Sequence, residues 1–552
     1  MRHILLCCSL VAIAAHAQRT VGLLQYDAPP SGYLLFAPIS NTATYLIDPC
    51  GMEVHQWNST YTAGLGAQLQ PDGSLYRAGS VNNPIYQSGG RGGIMERWSW
   101  DGDLLWSYML SNDSLCQHHD FTVLPNGNLL IIAWDRLPGA EAIAMGRNPA
   151  NTGNWLLSER IMELQPVGSD EVVLVWEWKL RDHLVQDYDA GLPNYDVIAD
   201  RPERMNINFY QGGPLAADWI HLNGIDHNAE FDQILLSSHN LDEIWVIDHS
   251  TTTAEAAGST GGNSGKGGDL LYRWGDPRSY DRGVPADQRL FGQHHATWLP
   301  AGHPQAGKIL VFNNGLGRPA GQYSSVDIIE PPVDVNGVYE VPATTAFLPA
   351  EVLSTWTAPV PTDFFAMNIS GVFPVDDGYL ATNGPEGSFI FIGADGTRTW
   401  EYINPVNNGG PVAQGSTIAA NSVFRCEPYA ADFAGFVGHD LTPGDEVELD
   451  PIIPSLCLAM GIEGSPSPFT AQDVRAGAFP NPANVQVTVP TFAAVRGINL
   501  IDVNGRSVAL PFVAQGDHVS VDVGAFASGM YTLQIVEAGG TMPRELRFAI
   551  VH

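Results

Sequence analysis

Positive charge is what this sequence has least of. Lys and Arg number 26 against 59 Asp and Glu, a net charge of −33 over 552 residues. A surface this acidic repels phosphate, which argues against a nucleic-acid partner, and it fits high solubility better than an acidic active site. Long apolar runs are also missing: past the first twenty residues no segment could span a membrane. No phosphate loop, dinucleotide fingerprint or calcium-loop motif occurs, and neither does His-x₃-His or His-Glu-x₂-His. Cysteine is scarce at 6 residues and histidine at 16. Turn formers are not scarce: Gly 58 and Pro 39 indicate an all-β chain more than a helical one.

The N-terminus, "MRHILLCCSLVAIAAHAQ", has a basic start, an apolar stretch and a small-x-small end at Ala15-His16-Ala17. This predicts a signal peptide over 1–17, cut before Gln18. Cys7 and Cys8 leave with it, and Cys50, Cys116, Cys426 and Cys457 remain for an oxidising compartment. Four cysteines allow three connectivities, and Cys426–Cys457 is the first expected bridge because it would tie down the end of the main domain.

One unit recurs: a turn, often Asp-Gly, followed by a short strand that ends in tryptophan. It appears as "LIDPCGMEVHQW" (Trp57), "RWSWDGDLLW" (Trp106), "LQPVGSDEVVLVW" (Trp176), "GKGGDLLYRW" (Trp274), "LPAEVLSTW" (Trp356) and "FIGADGTRTW" (Trp400). A Pro-x-Gly-x-Leu companion lies nearby in "QPDGSLYRAG" and "LPNGNLLIIAW". Six such units predict a six-bladed β-propeller, with long insertions in several blades. The Gly/Ser/Thr-rich "IDHSTTTAEAAGSTGGNSGKGG" is expected to be a loop unable to pack a core. In a propeller the inner strands converge on one axis, so distant residues meet.

Against that geometry the histidines take on a pattern. "CQHHDF", "DWIHLNGIDHN", "ILLSSHNLDEIWVID" and "FGQHHATWL" each precede or begin a strand-like run. Each is expected near the start of an inner strand. Such a ring could hold a metal with a carboxylate such as Asp120 or Asp226, or could supply an imidazole nucleophile surrounded by donors.

Two family resemblances narrow this choice. From about Ser465 the tail carries "FPNPA", "DVNGR" and "SGMYTLQI" in order. It resembles the C-terminal sorting domain that Bacteroidetes-type bacteria use for type IX secretion. That implies a small β-sandwich, release to the cell surface or medium, and the type IX machinery as partner. From about Leu35 to Cys426, "HHD", "DWIHLN", "EIWVIDHSTT", "GGDLLYRWGDP", "FGQH", "ILVFNNGLGRP" and "YSSVDIIEPP" resemble the bacterial arylsulfotransferases. The resemblance implies a secreted six-bladed propeller that needs no phosphoadenosine phosphosulfate and no cofactor. A histidine takes the sulfo group from an aryl sulfate and hands it to a phenol.

By position, His294 matches the nucleophile, in a "QHD"-like motif whose Asp is His295 here. His221 and Asn223 match the sulfate-binding pair, and His118 or His119 the remaining active-site histidine. Ser370 of "ISG" is a candidate contact to sulfate, as is Arg318 of "GLGRP". The family's Arg in "SSR" is His239, whose protonated ring would replace part of the charge at the cost of pH dependence. The expected organisation is signal peptide 1–17, propeller 18–430, linker 431–468 and sorting domain 469–552. The expected function is exported aryl-sulfate sulfotransfer. The alternatives are a non-catalytic propeller binding sulfated or phenolic ligands, and a metal-dependent hydrolase.

Overall fold

The computed structural model describes residues 19–209, 217–451 and 457, and in the C-terminal part 486–490, 495–502, 506–515, 518–537 and 544–550. The expected signal peptide lies outside them. The chain divides into two compact units, Met1–Ile453 and Pro454–His552. Both are all-β, with helices limited to short turns.

The first unit contains six antiparallel sheets of four or five strands. Their first strands are Ala63–Leu69, Leu115–Val123, Leu222–Asn228, His294–Trp298, Gly371–Val375 and Val423–Tyr429. Each lies beside the next, and the last lies beside the first, so the six strands form a closed ring. Closure comes from a swap of chain ends. Val423–Tyr429 pairs antiparallel with Tyr33–Pro38, from the opposite end of the unit.

First strands of adjacent sheets are tied by side chain to backbone. Asp120 Oδ2 accepts from the Ile225 amide at 3.1 Å, Asp226 Oδ2 from the Trp298 amide at 2.7 Å, and His295 Nδ1 from the Val372 amide at 3.1 Å. The carboxylates named above as possible metal ligands are therefore braces between strands.

The tryptophan repeat lands on one structural position. Trp57, Trp106, Trp176, Trp274, Trp356 and Trp400 each lie on the fourth strand of a different sheet. Each indole N–H reaches the following sheet or its entry loop. The acceptors are Ser99 O (2.9 Å), Glu171 O (3.0 Å), Thr251 Oγ1 (3.0 Å), Pro349 O (2.7 Å), Gly396 O (2.8 Å) and Pro49 O (2.7 Å). The last bond returns to the first sheet, so an outer circle of indoles matches the inner circle of strands. Tryptophan suits the position because it fills the wedge between diverging sheets and carries one donor at its rim.

Three expectations change. His239 is not at the start of a first strand; it occupies the turn between Gln233–Ser238 and Glu243–Asp248. The Gly/Ser/Thr-rich segment does pack: Thr252 and Glu255 form a capping box on the helix Thr253–Ala256, and Ala256 is fully buried. Cys116 and Cys426 are buried free thiols. The expected Cys426–Cys457 bridge is therefore not formed, because Cys426 is buried in the closing ladder opposite Phe36. Residues past 430 also pack on this unit, where Phe436 meets Tyr33 edge to face at 5.1 Å.

In the second unit, Gln486–Pro490, His518–Asp522 and Phe512–Gln515 form one sheet. Ser507–Leu510, Val495–Asp502, Gly529–Glu537 and Arg544–Ile550 form another. Leu500, Leu533 and Ile535 of the second share a core with Val519 and Val521 of the first.

The indole circle is testable. Trp400→Phe keeps most of the buried ring and removes the bond to Pro49, and is expected to cost about 1 kcal/mol in denaturant unfolding. Trp400→Ala, which empties the wedge, is expected to cost about 3–5 kcal/mol. Equal losses for the two would show that the bond, not the filling, matters.

Candidate active site

Five of the six first strands slip register near their start. Four residues in or beside these slips have left-handed backbone: Leu65 (φ 91°), His119 (φ 51°), His221 (φ 56°) and His295 (φ 50°). Such bulges bend a strand and re-aim its side chains, and left-handed non-glycine residues cost roughly 1–3 kcal/mol each. Here they aim histidines at the centre of the ring.

The two Gln-His-His triplets are equivalent in this respect. In each, the glutamine ties its strand to the preceding sheet. Gln117 Oε1 accepts from the Gly93 amide at 3.0 Å. Gln293 Nε2 donates to Ser237 Oγ, Ser238 O and Glu243 O at 3.2, 2.9 and 2.8 Å. The following histidines then diverge. His118 stacks on Trp134 at 4.1 Å and meets Glu159 Oε2 through Nε2 at 2.9 Å. His119 turns the other way, to His221, with ring centroids 4.5 Å apart. The doubled position therefore sends His119 to the cluster and His118 behind it, joined Nδ1 to Nδ1 at 2.8 Å. Gly90 makes room: a Cβ there would lie 1.8 Å from His119 Cε1.

From His119 the rings continue to His221, His239 at 5.4 Å and His294 at a further 5.3 Å. Phe424, on the ring-closing strand, faces both ends, 6.2 Å from His119 and 6.5 Å from His294. Four imidazoles and one phenyl thus form a circle.

Several tautomers follow from their partners. Asn314 Nδ2 donates to Ala366 O and Ile369 O, which leaves Asn314 Oδ1 as acceptor facing His294 Nδ1 at 2.8 Å. Gly292 O faces the same nitrogen at 3.1 Å. His294 Nδ1 therefore carries the proton and Nε2 the lone pair. Asn240 is fixed in the same way by its bond to Asp218 O, so His239 Nδ1 is also the donor. His221 Nδ1 donates to Asp218 Oδ2 at 2.6 Å. Burial pushes the Asp218 carboxyl up, but the His221 and His118 rings outweigh it and hold Asp218 below the usual range. Glu159 is driven well above its range by burial and then by Asp218. In its protonated form it starts a relay, Glu159 O–H to His118 Nε2 and His118 Nδ1–H to His119 Nδ1, leaving His119 Nε2–H as a donor.

Burial is the main electrostatic fact. It holds His118, His119 and His294 well below the ordinary imidazole range and pulls His239 to about 4, with the neighbouring His221 adding to the last. His239 is therefore neutral near pH 7 and carries no charge to stand in for an arginine's. The fixed cation nearby is Arg425, stacked 4.3 Å over Phe424 and paired with both Asp120 oxygens at 3.1 and 2.6 Å.

Three of the expected contact residues have partners within the protein. Asn223 Nδ2 donates to Gln293 O at 2.7 Å, bracing two first strands. The Ser370 hydroxyl accepts from the Gly384 amide and donates to Asn368 O, while its backbone N–H holds Phe424 O. Arg318 lies 4.3 Å over Tyr323 and bonds Ser325 Oγ at 3.0 Å. His295 is the brace to Val372. The sequence reading missed Glu159, Asp218, Asn314, Phe424 and Arg425, although "DWIH" and "FNNG" do display Asp218 and Asn314. Among the described residues, the three side chains close enough to share a metal are His227, Asp232 and His249, outside this cluster.

Burying neutral imidazoles fixes the sign of an acid effect. The folded state binds fewer protons than the unfolded chain below pH about 6.5, so stability present at neutral pH is lost as pH falls toward the folded value. His239 alone, at about 4, accounts for roughly 2–3 kcal/mol of this loss. Unfolding free energies measured from pH 7 to 4 should fall less in His239→Gln than in the wild type; parallel curves would contradict it.

No curated protein matches the chain. Among solved structures, a protein of unknown function from Bacteroides caccae is 11% identical with TM-score 0.38, covering 72% of this chain and 98% of that one. Virginiamycin B lyase from Staphylococcus aureus is 12% identical with TM-score 0.30, covering 70% and 90%. Family models are more informative. Residues 83–330 match the arylsulfotransferase (ASST) family and residues 477–546 the secretion system C-terminal sorting domain. The first span carries His118, His119, Glu159, Asp218, His221, His239, His294 and Asn314. The second indicates secretion to the cell surface or beyond, and no helix among the described residues is long and apolar enough to cross a membrane. The chain thus carries an arylsulfotransferase-family domain followed by a type IX secretion sorting domain.

Proposed function

We propose that this protein is an exported aryl-sulfate sulfotransferase working through a sulfo-histidine at His294. The six sheets are the blades of a propeller spanning 18–430. The two C-terminal sheets are a sandwich within 469–552, and a signal peptide over 1–17 starts export. The family domain supports aryl sulfotransfer in general. The observation that carries the finer reading is the fixed tautomer of His294, whose Nδ1–H is held by Asn314 and Gly292.

In this scheme the donor's sulfo group sits within the circle of rings. His294 Nε2 attacks sulfur, the N–S bond forms and the S–O bond to the aryl group breaks. The leaving phenoxide needs a proton, since a phenol of pKa about 10 leaves poorly as an anion. His221, bonded to Asp218 through Nδ1, gives that proton. The neutral His221 then takes a proton from the acceptor phenol as its oxygen attacks sulfur and the N–S bond breaks. His119 Nε2–H donates to the sulfo oxygens, backed by Glu159 through His118. His239 faces the same group, and an anion beside it favours its charged form. Asn223, Ser370 and Arg318 keep the walls in place.

A second reading, binding of sulfated or phenolic ligands without turnover, is favoured by His239. The forked donor of an arginine is missing, and Arg425 is already neutralised by Asp120.

A chromogenic aryl sulfate, with and without added phenol, tests the proposal on the secreted protein. Phenol-dependent release of chromophore is expected, abolished in His294→Ala. Full activity in that variant would remove the nucleophile assignment. His239→Arg should raise turnover about ten-fold, the worth of one charge-assisted hydrogen bond. Binding of the aryl sulfate with no turnover in either form would favour the second reading.

A further inference from the structure

The Leu222–Asn228 strand brings one member of a second cluster, His227, to its other end, six residues from His221 and ~20 Å along the strand. His227 is the next-to-last residue of this strand, Asp232 lies in the turn that follows, and His249 comes just after Glu243–Asp248. Asp232 Oδ1 is 3.0 Å from His227 Nε2 and 2.7 Å from His249 Nδ1. One ligand atom from each of the three falls within 4.8 Å of the others. The two rings stand nearly perpendicular, at 82°, with centroids 5.4 Å apart.

The remaining nitrogen of His249, Nε2, faces Glu163 Oε2 at 3.3 Å. Glu163 belongs to the preceding sheet, and its other oxygen accepts from the amides of Asn126 and Asn128. An imidazole that offers one nitrogen to a shared point and the other to an anchored carboxylate has the arrangement by which metal-ligating histidines are oriented and made more basic.

A simpler account makes His249 an imidazolium clamped between Asp232 and Glu163. Those carboxylates outweigh burial and raise its pKa to about 9. That account explains His249. It leaves His227 as a second ring on the same oxygen, its plane nearly perpendicular to that of His249.

We propose that His227 Nε2, His249 Nδ1 and Asp232 bind a divalent ion of the zinc class, with Glu163 behind His249 on the far side of its ring. Two imidazoles and one carboxylate suit zinc, and leave a fourth position for water. Tetrahedral zinc places its donor atoms about 3.3 Å apart, so the contacts of Asp232 with the two rings, now 3.0 and 2.7 Å, would each open by about half an ångström or less. Asp232 is 43% exposed at its side chain, which gives the ion a route from solvent. The ion would tie the sheet holding Leu222–Asn228 to the preceding sheet through Glu163. It stands apart from the four-ring cluster and does not depend on sulfotransfer.

The whole protein, purified without chelator or metal-affinity tag, would be loaded with a zinc salt, gel-filtered and assayed for metal. Wild type should retain about one zinc per chain, as metal-coupled folding sites do. Asp232→Asn should retain almost none. Asparagine tolerates the left-handed backbone of this position (φ 53°), so the turn is kept. His221→Asn, in the other cluster, should retain as much as wild type. No retained zinc in wild type, undiminished zinc in Asp232→Asn, or loss in His221→Asn would each overturn the site. Cobalt(II) loaded into wild type gives a check that needs no variant. Visible absorption of a four-coordinate ion with nitrogen ligands is expected, and a spectrum like that of cobalt in buffer would overturn the proposal.

Discussion

The pairing of Val423–Tyr429 with Tyr33–Pro38 is the contact on which the rest depends. Sheets that diverge from a shared centre leave a gap unless the last is locked to the first, and here one antiparallel ladder does so. The lock has a chemical consequence. The closing strand brings Phe424 and Arg425 to the centre, so the ring of histidines has its final wall only when the chain ends meet. The indole circle repeats the closure further out, where Trp400 returns to Pro49.

Burial then sets the chemistry. Imidazoles removed from water lose their charge, which keeps the His294 Nε2 lone pair available at neutral pH. The same burial removes the positive charge that a sulfate needs. Carboxyl groups placed behind individual rings offset this selectively by orienting them as donors. Asp218 backs His221 directly, and Glu159 reaches His119 through His118. One cluster can therefore hold a neutral nucleophile beside rings turned into donors, because the carboxyl groups are not shared evenly.

Much of this was legible in the sequence, for identifiable reasons. The six tryptophans repeat because every fourth strand meets the same wedge and the same acceptor, so the repeat survived long insertions between units. The Gln-His-His triplets repeat because both strands need a glutamine staple and a bulge. His294, His221, His239 and one of His118/His119 were expected to converge, and all four rings do meet. Sequence could not say that His119 rather than His118 faces the circle, since this depends on the left-handed turn at 119 and the space left by Gly90. It also could not distinguish a polar side chain facing a ligand from one spent on a brace. Asn223 and Ser370 stand next to the centre, yet both satisfy backbone groups there, because strands that meet without a ladder must pair their polar groups by other means. Phe424 and Arg425 carried no motif at all; only ring closure brings them in.

The central claim is a covalent bond between sulfur and one imidazole nitrogen. The most direct measurement is peptide mapping by mass spectrometry, after the protein is quenched at high pH with aryl sulfate present and no acceptor phenol. The account predicts the added mass of one SO₃ on the peptide containing His294, removed on brief exposure to phenol before the quench. An unmodified His294 peptide, or the added mass on His119, His221 or His239 instead, would contradict it.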